Sequence, residues 1–294
     1  MKHSFSLLLL ASVGGGVGFS APASGDAIVH YKLDEAGGTA MDSIGGVHMT
    51  PRTQTAAEFG LVYSLPSVPA GTYGPITLTS QQASAFKTAI QGAGLGGDSQ
   101  FINSTANNAL NTLTGSRSIT AWIKPDMLPD ATTRVGRILS SHPVTIGTAR
   151  TGWGYGVKEA GNQRFTTYGR KDFDQNTGTA VEANVWQHVA MTYAETTPTN
   201  ANVQLYLNGN LVQTITGAPT DAANPDAIFG LFGTGSGTEA FPGTMDEVWV
   251  FNEVLSEQQI RLVATGAPIP EPSSVAALAA GGLLLLRRQR NRTV

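Results

Sequence analysis

GTMDEVWVFNEVLSEQQIRLVA, residues 243–264, is the stretch on which the reading of the fold turns. Thr244 to Phe251 carry the two-residue alternation of a strand, and Val248, Trp249, Val250 and Phe251 suit a pleated surface that other strands must cover. The chain then turns at Asn252-Glu253. Ser256 reads as a helix N-cap, with Leu255, Ile260 and Val263 on the buried side of a short amphipathic helix. A closing strand of this kind, late in a Gly- and Thr-rich chain, predicts a sandwich whose last strand lies beside its first.

The composition agrees with that reading. The chain has 294 residues, 35 of them glycine, and only 13% are charged, which suits many turns and short strands better than a helical bundle. The length fits one all-β domain of ordinary size together with its terminal segments. With no cysteine, disulfides, thiolate metal sites and cysteine nucleophiles are excluded. Between Lys2 and the arginine cluster at the C-terminus lie 13 basic and 21 acidic residues, 13 − 21 = −8, against −3 for the whole chain. An acidic body argues against nucleic acid as a partner, because such binding needs a basic footprint.

The ends read as addresses. Lys2 and His3 precede an apolar run from Phe5 to Leu10, and Ala21-Pro22-Ala23 offers small residues for cleavage, so residues 1–23 read as a secretory signal peptide. At the other end Pro270-Glu271-Pro272 precedes 12 apolar residues, Val275 to Leu286, and the basic tail RRQRNR. Twelve residues are short of the roughly 20 needed to span a bilayer, but the arginines would hold the segment at the cytoplasmic side during export. The order of tripeptide, apolar helix and arginines resembles the PEP-CTERM sorting signal. That resemblance implies an exosortase-type membrane enzyme as a processing partner, a transient membrane association, and delivery to the surface, outer envelope or matrix of a bacterium. A plain tail anchor is the simpler alternative.

Between these addresses, residues 24–265 read as one domain. IVHYKL, residues 28–33, forms the first strand, with Val29, Tyr31 and Leu33 on one face and Ile28, His30 and Lys32 on the other. Within SITAWIKP, residues 118–125, Ile119, Ala121 and Ile123 alternate against Trp122. Further strands are predicted over 137–141, 154–158, 164–168 and 185–193, the last placing His188 on one face with Trp186 and Ala190 as a structural imidazole. Val203–Leu207 and Leu211–Ile215 flank Asn208-Gly209-Asn210, a strong hairpin signal because Asn-Gly readily adopts the left-handed turn. Residues 65–97 interrupt the pattern as an insertion. The spacing of Ala83, Phe86 and Ile90, after a cap at Thr79 or Ser80, predicts one helix near 80–91 that packs on the sandwich or covers a site.

YKLDEAGGTAMDSIGG, WQHVAMTYAETTPTNANVQLYLNGNLVQTITG and the closing stretch resemble laminin-G-like jellyroll domains of the concanavalin A-like class. The resemblance implies an all-β jellyroll sandwich of two antiparallel sheets, here with a short helical insertion.

Motifs for catalysis are thin. The glucanases of this fold class set acids as Glu-x-Asp-x-x-Glu on one strand, which this chain lacks, and its histidines make no HExxH. KDFDQNTG, residues 171–178, fails as a calcium loop because Thr177 and Ala183 stand where an EF-hand needs its glycine and glutamate. Simple alternation places Asp246 inward with Val248 and Val250, where an acid needs hydrogen bonds or a metal. With the terminal strands paired, Asp34 or Glu35 would approach Asp246 and complete an oxygen-rich shell for calcium; a hydrogen-bonded structural cap is the alternative. Trp249 and Glu247 point the other way, where Trp249 would be exposed to stack on a sugar or packed beneath the insertion. The expected function is a noncatalytic exported module binding an extracellular glycan or matrix component. A structural or protein-adhesive envelope role and an atypical polysaccharide hydrolase or lyase are the alternatives.

Overall fold

The computed structural model describes residues 27–52, 60–92, 100–129, 135–141, 144–146, 149–167, 171–174, 179–220, 227–233 and 239–269. They form a jellyroll sandwich of two antiparallel sheets, one of eight strands and one of seven. Across the larger sheet run Asn210–Pro219, Asn200–Leu207, Gln187–Thr197, Arg117–Pro125, Gly243–Phe251, Thr88–Gly92 and Leu61–Pro66. The opening strand Ala27–Tyr31 joins this sheet beside the second half of the closing strand Gly243–Phe251, Tyr31 opposite Val248 and His30 opposite Trp249. The smaller sheet runs Lys171–Asp174, Gln163–Thr167, Trp153–Lys158, Val135–Ser141, Phe229–Leu231, Phe101–Asn103 and Thr50–Pro51.

Alternation determines what lies between the sheets. Val29, Tyr31, Ile119, Ala121, Ile123, Val189, Met191, Val203 and Leu205 of the larger sheet meet Ile138, Leu139, Tyr155, Phe165, Phe229 and Leu231 of the smaller in one core. Each of the larger aliphatic and phenylalanine side chains among them contributes about 1.5–3 kcal/mol by leaving water. The glycine turn after the opening strand is held by Asp42, whose carboxylate accepts from the backbone N–H groups of His30, Ile44, Gly45 and Val47 at 2.8–3.0 Å. The Asn208-Gly209 hairpin forms as expected, with φ of +49° and +73° and Leu207 opposite Asn210.

The larger sheet is also covered on part of its outer face. Two helices lie on that face: α1 spans Ser80–Ala85 and α2, capped by Ser256, spans Glu257–Ala264. In α2 the Ser256 hydroxyl accepts from Gln259 N–H while the Gln259 side chain accepts from Ser256 N–H. Leu255, Ile260 and Val263 pack on Ala190, Tyr206, Trp249 and Phe251. The Trp122 indole donates to Ala264 O at 2.9 Å, tying the helix to the sheet.

The helix expected near 80–91 is shorter than its periodicity implied. Thr79 caps it, but it ends at Ala85; Lys87 takes φ +53° and the chain continues as the strand Thr88–Gly92. That strand pairs with Gly243–Phe251 on one side and Leu61–Pro66 on the other. Ladder hydrogen bonds on both sides, with Ala89 and Ile90 buried, outweigh a weak helical preference. The insertion therefore supplies strands to the sheet as well as the helix and a small hairpin, Gly71–Tyr73 with Ile76–Leu78, that lie over it.

Candidate functional site

The closing strand contains a β-bulge that decides where the candidate residues point. Asp246 lies opposite Trp122 and Trp249 opposite Thr120, so Glu247 and Val248 share one partner position. Glu247 holds φ +49°, a conformation that costs a non-glycine residue about 1 kcal/mol or more. The extra residue resets the alternation. Met245, Val248 and Val250 face the core, whereas Asp246, Trp249 and Phe251 lie on the outer face.

The expectation that Asp246 shares a face with Val248 and Val250 is therefore corrected. Asp246 is fully buried on the outer side of the sheet, and the Ser67 hydroxyl donates to its Oδ2. Burial, then the neighbouring Glu247 charge, pushes its carboxyl well above the usual carboxylate range. Trp249 is only 4% exposed, so it offers no open platform. It stacks on His30 with ring centres 3.4 Å apart, and His30 Nε2 lies 2.6 Å from Glu247 Oε2. Trp249 Nε1 also donates to Glu247, at 3.3 Å. Glu247 and Trp249 thus anchor the bulge and the opening strand under α2.

The calcium expectation is overturned. Among the described residues, no group of three or more His, Asp or Glu side chains is arranged to hold a metal ion. Asp34 accepts from Thr88 N–H at 3.2 Å and lies 3.5 Å from Lys87 Nζ, Glu247 is engaged by His30, and Asp246 is occupied by Ser67. Burial also pushes Asp34 upward from the ordinary carboxylate value. Each of the three acids is engaged by a protein partner of its own. The carboxylates of Asp172 and Asp174 and the sorting residues Pro270, Glu271 and Pro272 lie outside what the structure describes.

His188 lies fully inside the sandwich's outer layer, 5.3 Å from the Trp122 ring, and burial lowers its pKa to about 3. It stays neutral at ordinary pH, as a structural imidazole should.

The open part of the outer face lies beyond the bulge, towards the start of the closing strand. A cleft of about 440 Å³ crosses four strands there, lined by Leu65, Ser67, Gln91, Lys124, Asp126, Trp186, Thr244 and two prolines. Register places Lys124 beside Thr244 and Thr244 beside Gln91, all on the face away from the core. Trp186 is half-buried, packed at the edge of a cluster containing Trp122 and Phe86. The Gln91 amide donates to Asp126 Oδ2, and Asp126 N–H donates to Pro242 O at 2.9 Å. The cleft combines an indole, a polarised amide–carboxylate pair, a lysine and two hydroxyl residues.

Trp186 and Lys124 carried a signal in the sequence. Trp186 shares alternation with His188, and Lys124 with Trp122, so both belong to the outer face. Leu65, Ser67 and Gln91 carried none, because their approach to that face depends on how the insertion joins the sheet.

A family model described as the concanavalin A-like lectin/glucanases superfamily matches residues 95–261. No curated protein matches the chain. Among solved structures, Trypanosoma rangeli sialidase in complex with 2,3-difluorosialic acid is similar with a TM-score of 0.52 and 16% identity, over 83% of this chain and 33% of that one. The chain therefore spans about a third of the sialidase's length. Domain 4 of a GH43 extracellular arabinanase from Geobacillus stearothermophilus, in complex with arabinotriose, gives a TM-score of 0.44 and 19% identity, over 81% of this chain and 98% of that one. A heptameric SAP-like pentraxin from Limulus polyphemus gives 0.41 and 17%, over 51% and 70%. At these identities the likeness bears on the fold alone. The match of the family model over more than half the chain, on a sandwich with this pairing of its first and last strands, places the protein in the concanavalin A-like lectin/glucanase superfamily.

Proposed function

We propose that the protein is an exported, noncatalytic module that binds an extracellular glycan in the cleft on the outer face of its larger sheet. The observation that carries this reading is the open cleft across four strands with half-buried Trp186 beside Gln91, Lys124, Asp126 and Ser67. Sugar rings present apolar C–H faces that stack on an indole, while amide, carboxylate and hydroxyl groups satisfy their rims. Catalytic hydrolysis by paired acids would need a second carboxylate in the cleft. Among the described lining residues Asp126 is the one carboxylate, and Asp246 lies buried beneath with Ser67. Binding should appear on a polysaccharide array with the 24–265 domain and fall on Trp186→Ala; retention unchanged by that substitution would refute the assignment of the cleft.

A protein-adhesive role has its own support in Met127 and Val185, 50% and 43% exposed, which adjoin Asp126 and Trp186 in sequence. Pull-down from envelope extracts separates the two readings, since an adhesive surface would retain a protein when no glycan is retained.

Export completes the proposal. The leader over residues 1–23 and the Pro270-Glu271-Pro272 segment, with its apolar run and arginines, support delivery to the cell surface or matrix through an exosortase-type enzyme. Fractionation of cells carrying Glu271→Ala tests it. The expected result is an unprocessed, membrane-retained chain, and unchanged size and location would count against it.

A further inference from the structure

Among the described residues that line the cleft, Lys124 is the charged group without a protein partner. Asp126 is held by Gln91, and Asp246 beneath the floor is held by Ser67. Lys124 is half-buried in the cleft lining, and among the described residues no carboxylate or other hydrogen-bond acceptor pairs with its ammonium. The backbone around it is fixed: Lys124 lies in the centre of the sheet between the strands Gln187–Thr197 and Gly243–Phe251, opposite Thr244. The stem of Lys124 is partly covered while its ammonium, at the cleft lining, has no protein acceptor and is left for water or a bound ligand.

From this we infer that the ligand is an anionic saccharide, one whose carboxylate or sulfate pairs with Lys124 while a ring stacks on Trp186. The inference rests on the glycan-binding reading and names its substrate class. A neutral sugar hydroxyl can accept from the ammonium, but a carboxylate or sulfate adds charge–charge attraction to that hydrogen bond, so an anionic sugar pairs with Lys124 more strongly. Asp126 then has a complementary role. Its carboxylate, oriented by Gln91, accepts from sugar hydroxyls and repels a second anion, so the site suits one acidic group per bound unit and does not form a general polyanion surface. The acidic body of the protein agrees, since long-range attraction would not gather polyanions indiscriminately.

The test is titration of the full exported domain with three oligosaccharides of equal length: an oligogalacturonate, a sulfated galactan and a neutral galactan. The expected result is binding of at least one anionic form roughly tenfold or more tighter than the neutral one, weakening as salt rises. Lys124→Met should remove roughly that tenfold preference, and Lys124→Arg should keep most of it, with melting curves confirming that both variants fold. Which anionic form binds identifies the group, carboxylate or sulfate. Equal affinity for neutral and anionic forms, or a Lys124→Met variant with undiminished preference, overturns the inference. Trp186→Ala separates the two levels: loss of all binding there with a silent Lys124→Met removes the anion inference alone. If none of the three sugars binds the wild-type domain and its glycan array is also blank, the glycan reading falls with it.

Discussion

The two halves of the closing strand face opposite fates on the same side of the sheet. After the bulge, Trp249 and Phe251 lie under α2, with His30 stacked on Trp249 and Glu247 holding both rings. Before it, Thr244 forms part of the floor of an open cleft among Lys124, Gln91 and Trp186. The neighbours differ because the neighbouring chain differs: the opening strand flanks the second half and the insertion's Thr88–Gly92 flanks the first. The covered half is a second small core that stabilises the sandwich. The open half keeps polar groups at a surface where burying them would cost free energy, which is the arrangement expected of a binding site on a rigid scaffold.

Substitutions should respect that division. The largest effect is expected from Trp249→Ala, which removes a buried indole and its contacts with His30 and Glu247. Denaturant unfolding should show a loss of about 3–5 kcal/mol, with sugar binding by the remaining folded protein unchanged. A loss below 1 kcal/mol would mean that the half under α2 is not a core.

An intermediate effect is expected between the halves, at Asp246→Asn. Folding raises the pKa of Asp246, so its contribution to stability is fully present below the unfolded value near 3.8 and is lost as pH rises towards the folded one. Asparagine cannot ionise. Stability of the variant relative to the wild type should therefore improve as pH rises above about 4, by up to about 1.4 kcal/mol per pH unit, read from melting curves at several pH values. A difference independent of pH would place a solvated, ordinary carboxylate there and merge the buried floor with the open cleft.

The smallest stability effect is expected from Trp186→Ala, about 1 kcal/mol or less because the indole is only half-buried. If its loss in stability equals that of Trp249, the cleft is packing and the contrast between the halves disappears.

The sequence by itself determined most of the sandwich. Strict alternation in SITAWIKP and IVHYKL identified core residues that the structure buries, because a pleated strand with one covered face has only one register that hides its apolar side chains. The Asn208-Gly209 turn and the Ser256 cap were legible for a local reason: each depends on the chemistry of two to four adjacent residues. Asp34, Asp246, Glu247 and Trp249 could be named from the sequence, but the directions of the three on the closing strand, and so their partners, were not readable. One extra residue at Glu247 reverses parity, and a bulge without glycine leaves no mark in composition. The strand Thr88–Gly92 was likewise hidden, since a segment with weak helical periodicity becomes a strand only when two partners, distant in sequence, supply the hydrogen bonds. The cleft was settled last and by tertiary structure alone. It exists where α2 and the small hairpin stop covering the sheet, and that boundary depends on the packing of elements from residues 61 to 264 against one another.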